Sequence, residues 1–191
     1  MTVAAIVVDV QNDFTEGGSL AVAGGAGVAA AITAHLRASS YDHVVATRDH
    51  HIDPGRHFAA HPDYVDTWPA HCVVGTGGVE LHPDLDRSLL EAVFDKGEYA
   101  AAYSGFEGRG PGGVPLADWL RSQDVDAVEI MGIATDHCVV STALDAAREG
   151  FTTSVRLDLT AGVAPATTAT AVERLQAAGI TLHGTPVVAT S

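Results

Sequence analysis

The stretch Val125–Gly150 constrains the fold more than any other. Ala127–Gly132 is a short, largely apolar run that reads as a buried strand. Val139, Ala143, Ala146 and Ala147 then recur at helical spacing, and the pattern stops at Gly150. The turn Thr135-Asp136-His137-Cys138 between them puts Cys138 in the first turn of a helix, at the carboxyl edge of a sheet. Unpaired N–H groups and the positive end of the helix dipole favour thiolate over thiol there. Cys138 is therefore a candidate nucleophile. The competing reading is a structural cysteine, because free cysteine is among the most buried residue types.

The rest of the chain repeats the alternation. Ala4–Val10, His43–Thr47, Ala92–Phe94, Thr153–Leu159 and Ile180–His183 read as strands, and Val28–Ala38, Pro115–Gln123 and Pro165–Ala178 as helices. With no repeat, linker or composition shift, residues 1–191 are expected to form a single domain. The fold expected is α/β, a three-layer α/β/α sandwich around a doubly wound, mainly parallel six-stranded sheet. Ligands bind beyond the carboxyl ends of the strands in such sheets. Asp9, Asp49 with His51, Lys96 and Cys138 all fall at that edge.

Two long stretches resist assignment. Arg48–Glu80 carries Asp49, His51, His57 and His71, and one carboxylate with three imidazoles suits a divalent transition metal. Surface histidines are the alternative, and His43, His61 and His82 are read that way. In Glu98–Gly113 the glycine-rich run Gly108–Gly113 is expected to be a mobile loop tip. Asp9 is either a paired, working carboxylate or a cap on the turn after its strand. Lys96 is the only lysine beside nine arginines, as a site needing a compact ammonium would require, although one lysine can also survive by chance.

A formal charge of −14 argues against nucleic-acid or anionic-membrane partners. Two cysteines make no disulfide framework, and neither a signal peptide nor a membrane-length apolar run is evident, so the expected setting is cytoplasmic.

With these residues in view, the chain resembles the nicotinamidase/pyrazinamidase branch of the isochorismatase-like cysteine hydrolases. The matching motifs are Val8-Asp9-Val10-Gln11-Asn12-Asp13-Phe14, Asp49-x-His51 with His57, Trp68-Pro69-x-His71-Cys72, Lys96-Gly97 and Gly132–Cys138. The resemblance implies hydrolysis of nicotinamide, or pyrazinamide, through an acyl thioester on Cys138, as a step in NAD salvage. It implies Asp9 as proton carrier, Lys96 as charge stabiliser, and backbone N–H groups of Ala134 and Cys138 as the oxyanion hole beside a cis Ile133–Ala134 peptide. It also implies a zinc, iron or manganese ion on Asp49, His51, His57 and His71 that binds the ring nitrogen of a small aromatic carboxamide. Phe14, Leu20, Trp68, Tyr103, Ile133 and His137 would wall the ring.

Two positions depart from the family pattern. His50 replaces a usual aromatic residue and could act as a competing ligand, and Gly108–Gly113 could be an insertion. The rival readings are a family hydrolase of another amide or of a vinyl ether, and a metal or redox protein in which Cys72 and Cys138 pair.

Overall fold

The computed structural model describes residues 1–189. The strands are β1 (Thr2–Val8), β2 (His43–Asp49), β3 (Ala92–Lys96), β4 (Val125–Ile133), β5 (Thr152–Gly162), β6 (Thr181–His183) and β7 (Val187–Val188). The α-helices are α1 (Gly25–Ala38), α2 (Leu116–Ser122), α3 (Val140–Arg148) and α4 (Pro165–Ala177). The strands form one sheet in the order β3-β2-β1-β4-β5-β6, with β7 paired to the end of β5, and every pairing is parallel. β7 was not expected; two residues are too few to carry a periodic signal.

Side-chain alternation along β1 builds both layers of the core. Ala4, Ile6 and Val8 pack with Leu116 and Leu120 of α2, Ala143 and Ala146 of α3, and Leu175 of α4. Ala5 and Val7 pack on the opposite face with Val28, Ala29, Ile32 and Leu36 of α1. A strand covered on both sides needs apolar residues at every position, which is the pattern of Ala4–Val8. The strand order reverses between β1 and β4, and a crevice opens at such a reversal beyond the strand ends. Asp9 follows β1 and Ala134 follows β4, so both enter that crevice.

Three local expectations are corrected. The turn Thr135–Val139 is π-helical and runs straight into α3, so Cys138 sits in a wider turn than the first turn of an α-helix. Of Arg48–Glu80, the first two residues complete β2 and the rest is irregular, with single 3-10 turns at Gly55–His57 and Gly77–Val79 and bridges joining His51 to Val73 and Phe58 to Trp68. The first half of Gly108–Gly113, Gly108–Gly110, is pinned rather than free, while Pro111–Gly113 is exposed. The Asp95 N–H donates to the Arg109 carbonyl at 3.0 Å and the Arg109 N–H returns to Asp95 at 2.9 Å. Gly108 and Gly110 lie against Phe94, where a Cβ would crowd the aromatic side chain. The glycines there permit close approach.

Gly132 is a point of close approach between β1 and β4. Its φ is +129°, and a Cβ would run into the backbone of Val8. Gly132→Ala should cost at least about 2 kcal/mol, lowering Tm by roughly 4–8 °C. Gly27→Ala, in open space on α1, should be neutral or stabilising. Thermal unfolding of the two variants checks both.

Candidate active site

Three strand ends bring one ammonium between two carboxylates. Lys96, the last residue of β3, is 2% exposed. Its Nζ lies 2.8 Å from Asp9 Oδ2, forms an ion pair with Asp49 Oδ1, and stands 3.7 Å from Cys138 Sγ. Burial favours the neutral amine, but Asp49 and Asp9 hold Lys96 protonated. Burial also opposes charge on Asp49, yet the Lys96 ammonium foremost, with the His51 and His71 rings beside it, holds its carboxyl well below the usual range. For Asp9 the balance falls the other way. Burial raises its carboxyl, Lys96 only partly offsets this, and neighbouring Asp49 adds to the rise.

The thiol follows the same logic. Burial pushes Cys138 well above the ordinary thiol range, with Lys96 opposing and Asp9 reinforcing the shift. The helix-end argument for a resting thiolate therefore fails on desolvation. The resting group is a thiol beside a base. Both cysteines are free, so Cys72 and Cys138 do not pair. Cys72 is fully buried, and its N–H donates to Asp13 Oδ2 at 2.7 Å.

His51, His57 and His71 form a compact buried group, each offering a ring nitrogen within 4.8 Å of the others. Asp49 Oδ2 lies 3.6 Å from His51 Nε2 and 3.7 Å from His71 Nε2. The Nδ1 atoms of His51 and His71 sit 2.6 Å and 2.8 Å from the carbonyls of Gly97 and Pro69. A carbonyl only accepts, so Nδ1 donates in both rings and Nε2 keeps its lone pair for the cluster. His51 Nε2 and His57 Nδ1 are buried without partners, and burial beside His71 and His51 lowers His57 to about 4. Neutral imidazoles with unspent lone pairs beside a carboxylate fit a divalent transition metal. His50 is not part of this group; its Nδ1 faces Glu98 at 3.2 Å.

A cavity of about 470 Å³ opens onto both clusters. Cys138 and Ala134 line it beside Asp49, His57 and His71, and Phe14, Leu20, Trp68, Tyr103 and His137 form its walls. Trp68 Nε1 donates to the Tyr103 hydroxyl at 3.1 Å, and the Tyr103 and His137 rings stack at 6.4 Å. Ile133 does not line the cavity. Its side chain packs into the core near Gly25 of α1, although the Ile133–Ala134 peptide is cis as expected from the resemblance.

Several contributors escaped sequence reasoning. Gln11 donates to the Asp49 and Val79 carbonyls and accepts from the Asp49 N–H at 2.8 Å, fixing the end of β2. Asp136 accepts from the N–H groups of Val163 and Ala164 and from the Thr167 hydroxyl, tying the Cys138 turn to the cavity rim at α4. Tyr64, Val163, Ala164 and Thr167 also line that rim. Gln11 lies inside a matched motif, which was the available signal. The rim residues carry none.

The fold and site together define a class: α/β proteins holding a thiol, an ammonium and a carboxylate where a doubly wound sheet reverses. The chain belongs to the isochorismatase family, whose Isochorismatase domain matches residues 3–186. It is 58% identical over 180 residues to the nicotinamidase/pyrazinamidase of Mycobacterium tuberculosis, covering 94% of this chain and 97% of that protein. The crystal structure of PnC1 from L. infantum in complex with nicotinate superposes with a TM-score of 0.85 at 36% identity, covering 95% of this chain and 91% of that one. The pyrazinamidase of Pyrococcus horikoshii in complex with zinc gives 0.81 at 34% identity, covering 95% and 98%.

The shared ammonium makes a stability prediction. Lys96→Met leaves Asp9 and Asp49 buried without their counter-ion, a loss of about 3–5 kcal/mol for a broken buried pair. The unpaired carboxyls have raised pKa values in the folded variant, so protonation relieves them and the deficit shrinks as pH falls. Urea midpoints at pH 5 and pH 8 should show the larger loss at pH 8.

Proposed function

We propose that the protein hydrolyses nicotinamide to nicotinate and ammonia, and pyrazinamide to pyrazinoate. The observation that carries this reading is Cys138 Sγ, 3.7 Å from Lys96 Nζ and backed by Asp9, on the wall of a ring-sized aromatic cavity. The M. tuberculosis relative and the nicotinate in the L. infantum structure support the choice of a pyridine carboxamide.

Asp9 takes the thiol proton, a task its raised pKa suits, and Lys96 stabilises the thiolate that results. Sulfur attacks the amide carbon, and the N–H groups of Ala134 and Cys138 receive the developing oxyanion. Asp9 returns the proton to the amide nitrogen as the C–N bond breaks, and ammonia leaves. Water then attacks the thioester with Asp9 again as base, freeing nicotinate and restoring the thiol. The buried, preset charges around sulfur strengthen each of these interactions.

Asp49, His51, His57 and His71 would hold zinc, iron or manganese, which would act as a Lewis acid toward the ring nitrogen. Zinc in the P. horikoshii relative supports such an ion. Phe14, Trp68 and Tyr103, which line the cavity, would pack on the ring. The reaction returns free nicotinamide to the acid form, consistent with a cytoplasmic salvage role. Among the described residues no helix is long and apolar enough to cross a membrane.

Cys138→Ala should abolish ammonia release while the fold and metal content survive, and Cys72→Ala should keep most activity. Equal loss in both variants would sink the nucleophile assignment. Removing metal by chelation should raise the nicotinamide KM strongly, while iodoacetamide still alkylates Cys138. Undiminished affinity in demonstrably metal-free protein would remove the ion from substrate binding.

A further inference from the structure

We propose that Thr47 is a positioning residue that aims the Asp9 carboxyl, reserving Oδ2 for proton exchange with the thiol. This deepens the hydrolase reading and rests on it.

Thr47 holds Asp9 at two points. The Asp9 N–H donates to the Thr47 carbonyl at 3.1 Å, and Thr47 Oγ1 donates to Asp9 Oδ1 at 2.6 Å. Both residues are fully buried, and Thr47 lies opposite Val8 in the β1–β2 register. The hold matters because Asp9 has a φ of +48°, left-handed backbone that a non-glycine residue rarely adopts. The last residue of β1 and the first beyond it are thus both set against Thr47.

The threonine side chain has little freedom to turn. A β-branched residue is stiff at χ1, and the Thr47 methyl faces Gly105 so closely that a Cβ there would stand 2.7 Å from Cγ2. With the methyl in that slot, the hydroxyl points at Asp9. Among the described residues Asp9 Oδ1 is its one hydrogen-bond partner. If the hydroxyl instead accepted a proton from Oδ1, its own hydrogen would be buried without an acceptor, a penalty of about 1–3 kcal/mol. The hydroxyl hydrogen therefore stays on Oδ1.

Oδ2 is left in the opposite condition. It lies 2.8 Å from Lys96 Nζ in an ion pair, and among the described residues no donor is aligned on it in a full hydrogen bond. Cys138 and Oδ2 both lie against Lys96, and the thiol is a hydrogen-bond neighbour of the Asp9 carboxyl, so the Oδ2 lone pair is available to its proton. In the step itself the S–H bond breaks, the proton bonds to Oδ2, and the electron pair stays on sulfur beside the ammonium. Without the hydroxyl the carboxyl can rotate about χ2, a broad and nearly two-fold torsion, and the free oxygen is no longer aimed.

The test uses Thr47→Ser, Thr47→Ala and Thr47→Val in the full chain with metal bound. Ser and Ala both lack the methyl and differ only in the hydroxyl; Val keeps the methyl and has a second one in place of the hydroxyl. Three readouts are taken: kcat and KM for nicotinamide, metal content, and the rate at which iodoacetamide alkylates Cys138. We expect Ser to stay within about threefold of the parent in kcat and alkylation rate. Ala and Val should each lose at least about tenfold in both, within the range of acid–base contributions, with KM and metal content unchanged. Equal rates for Ser and Ala, or losses confined to KM or metal content, would overturn the assignment. If Val does not fold, the Ser–Ala pair decides. If the parent releases no ammonia from nicotinamide, the functional reading fails while the alkylation series still decides the role of Thr47.

Discussion

A buried ammonium is tolerable only where opposite charge surrounds it, and Lys96 imposes that condition on the whole carboxyl edge of the sheet. Its two partners lie just beyond β1 and at the end of β2, while Lys96 itself ends β3. The convergence of these strand ends is thus also the neutralisation of one charge. The partners are not equivalent. Asp49 is held ionised and turns its other oxygen to two imidazoles, whereas Asp9 is raised toward protonation and stands behind the thiol. One ion couples the imidazole cluster to the sulfur.

Much of this was legible in the sequence because strand ends are. Apolar runs locate β1, β2 and β4, and the polar residues that close them lie at the edge where a doubly wound sheet binds ligands. Lys96 stood out against nine arginines. What escaped was side-chain direction and sharing. Ile133 belongs to a matched motif, yet it turns toward α1, where the β4–β5 register shifts between Ile130 and Gly132. The second partner of Lys96 was hidden because Asp49 was read for its neighbours in sequence, two residues from His51, rather than across the β2–β3 pair. Gly108–Gly113 was read as slack because small residues give no packing signal, but Phe94 across the chain requires the smallness of Gly108 and Gly110.

Irregular segments around the site are held by side chains gripping backbone. Gln11 grips Asp49, Asp13 grips Cys72, and Asp136 grips Val163 and Ala164 just before α4. Thr142 accepts from the Gly105 N–H and donates to the Cys138 carbonyl, joining the nucleophile turn to the segment after β3. Such bonds replace the ladder pairings that loops lack, and they satisfy buried N–H and C=O groups that would otherwise be costly. The loops can therefore be long without being loose.

The solitary lysine has a consequence for the outside of the molecule. Because Lys96 is the chain's only lysine and is almost wholly enclosed, the folded surface presents no accessible ε-amino group. Acylation, glycation and isopeptide conjugation at lysine, which all begin at such amines, find none on the folded surface. A reagent that labels lysine amines is thus a near-binary reporter of this protein: silent while the sheet edge is intact, reactive once it opens. The residue that organises the interior also leaves the exterior almost silent to lysine chemistry.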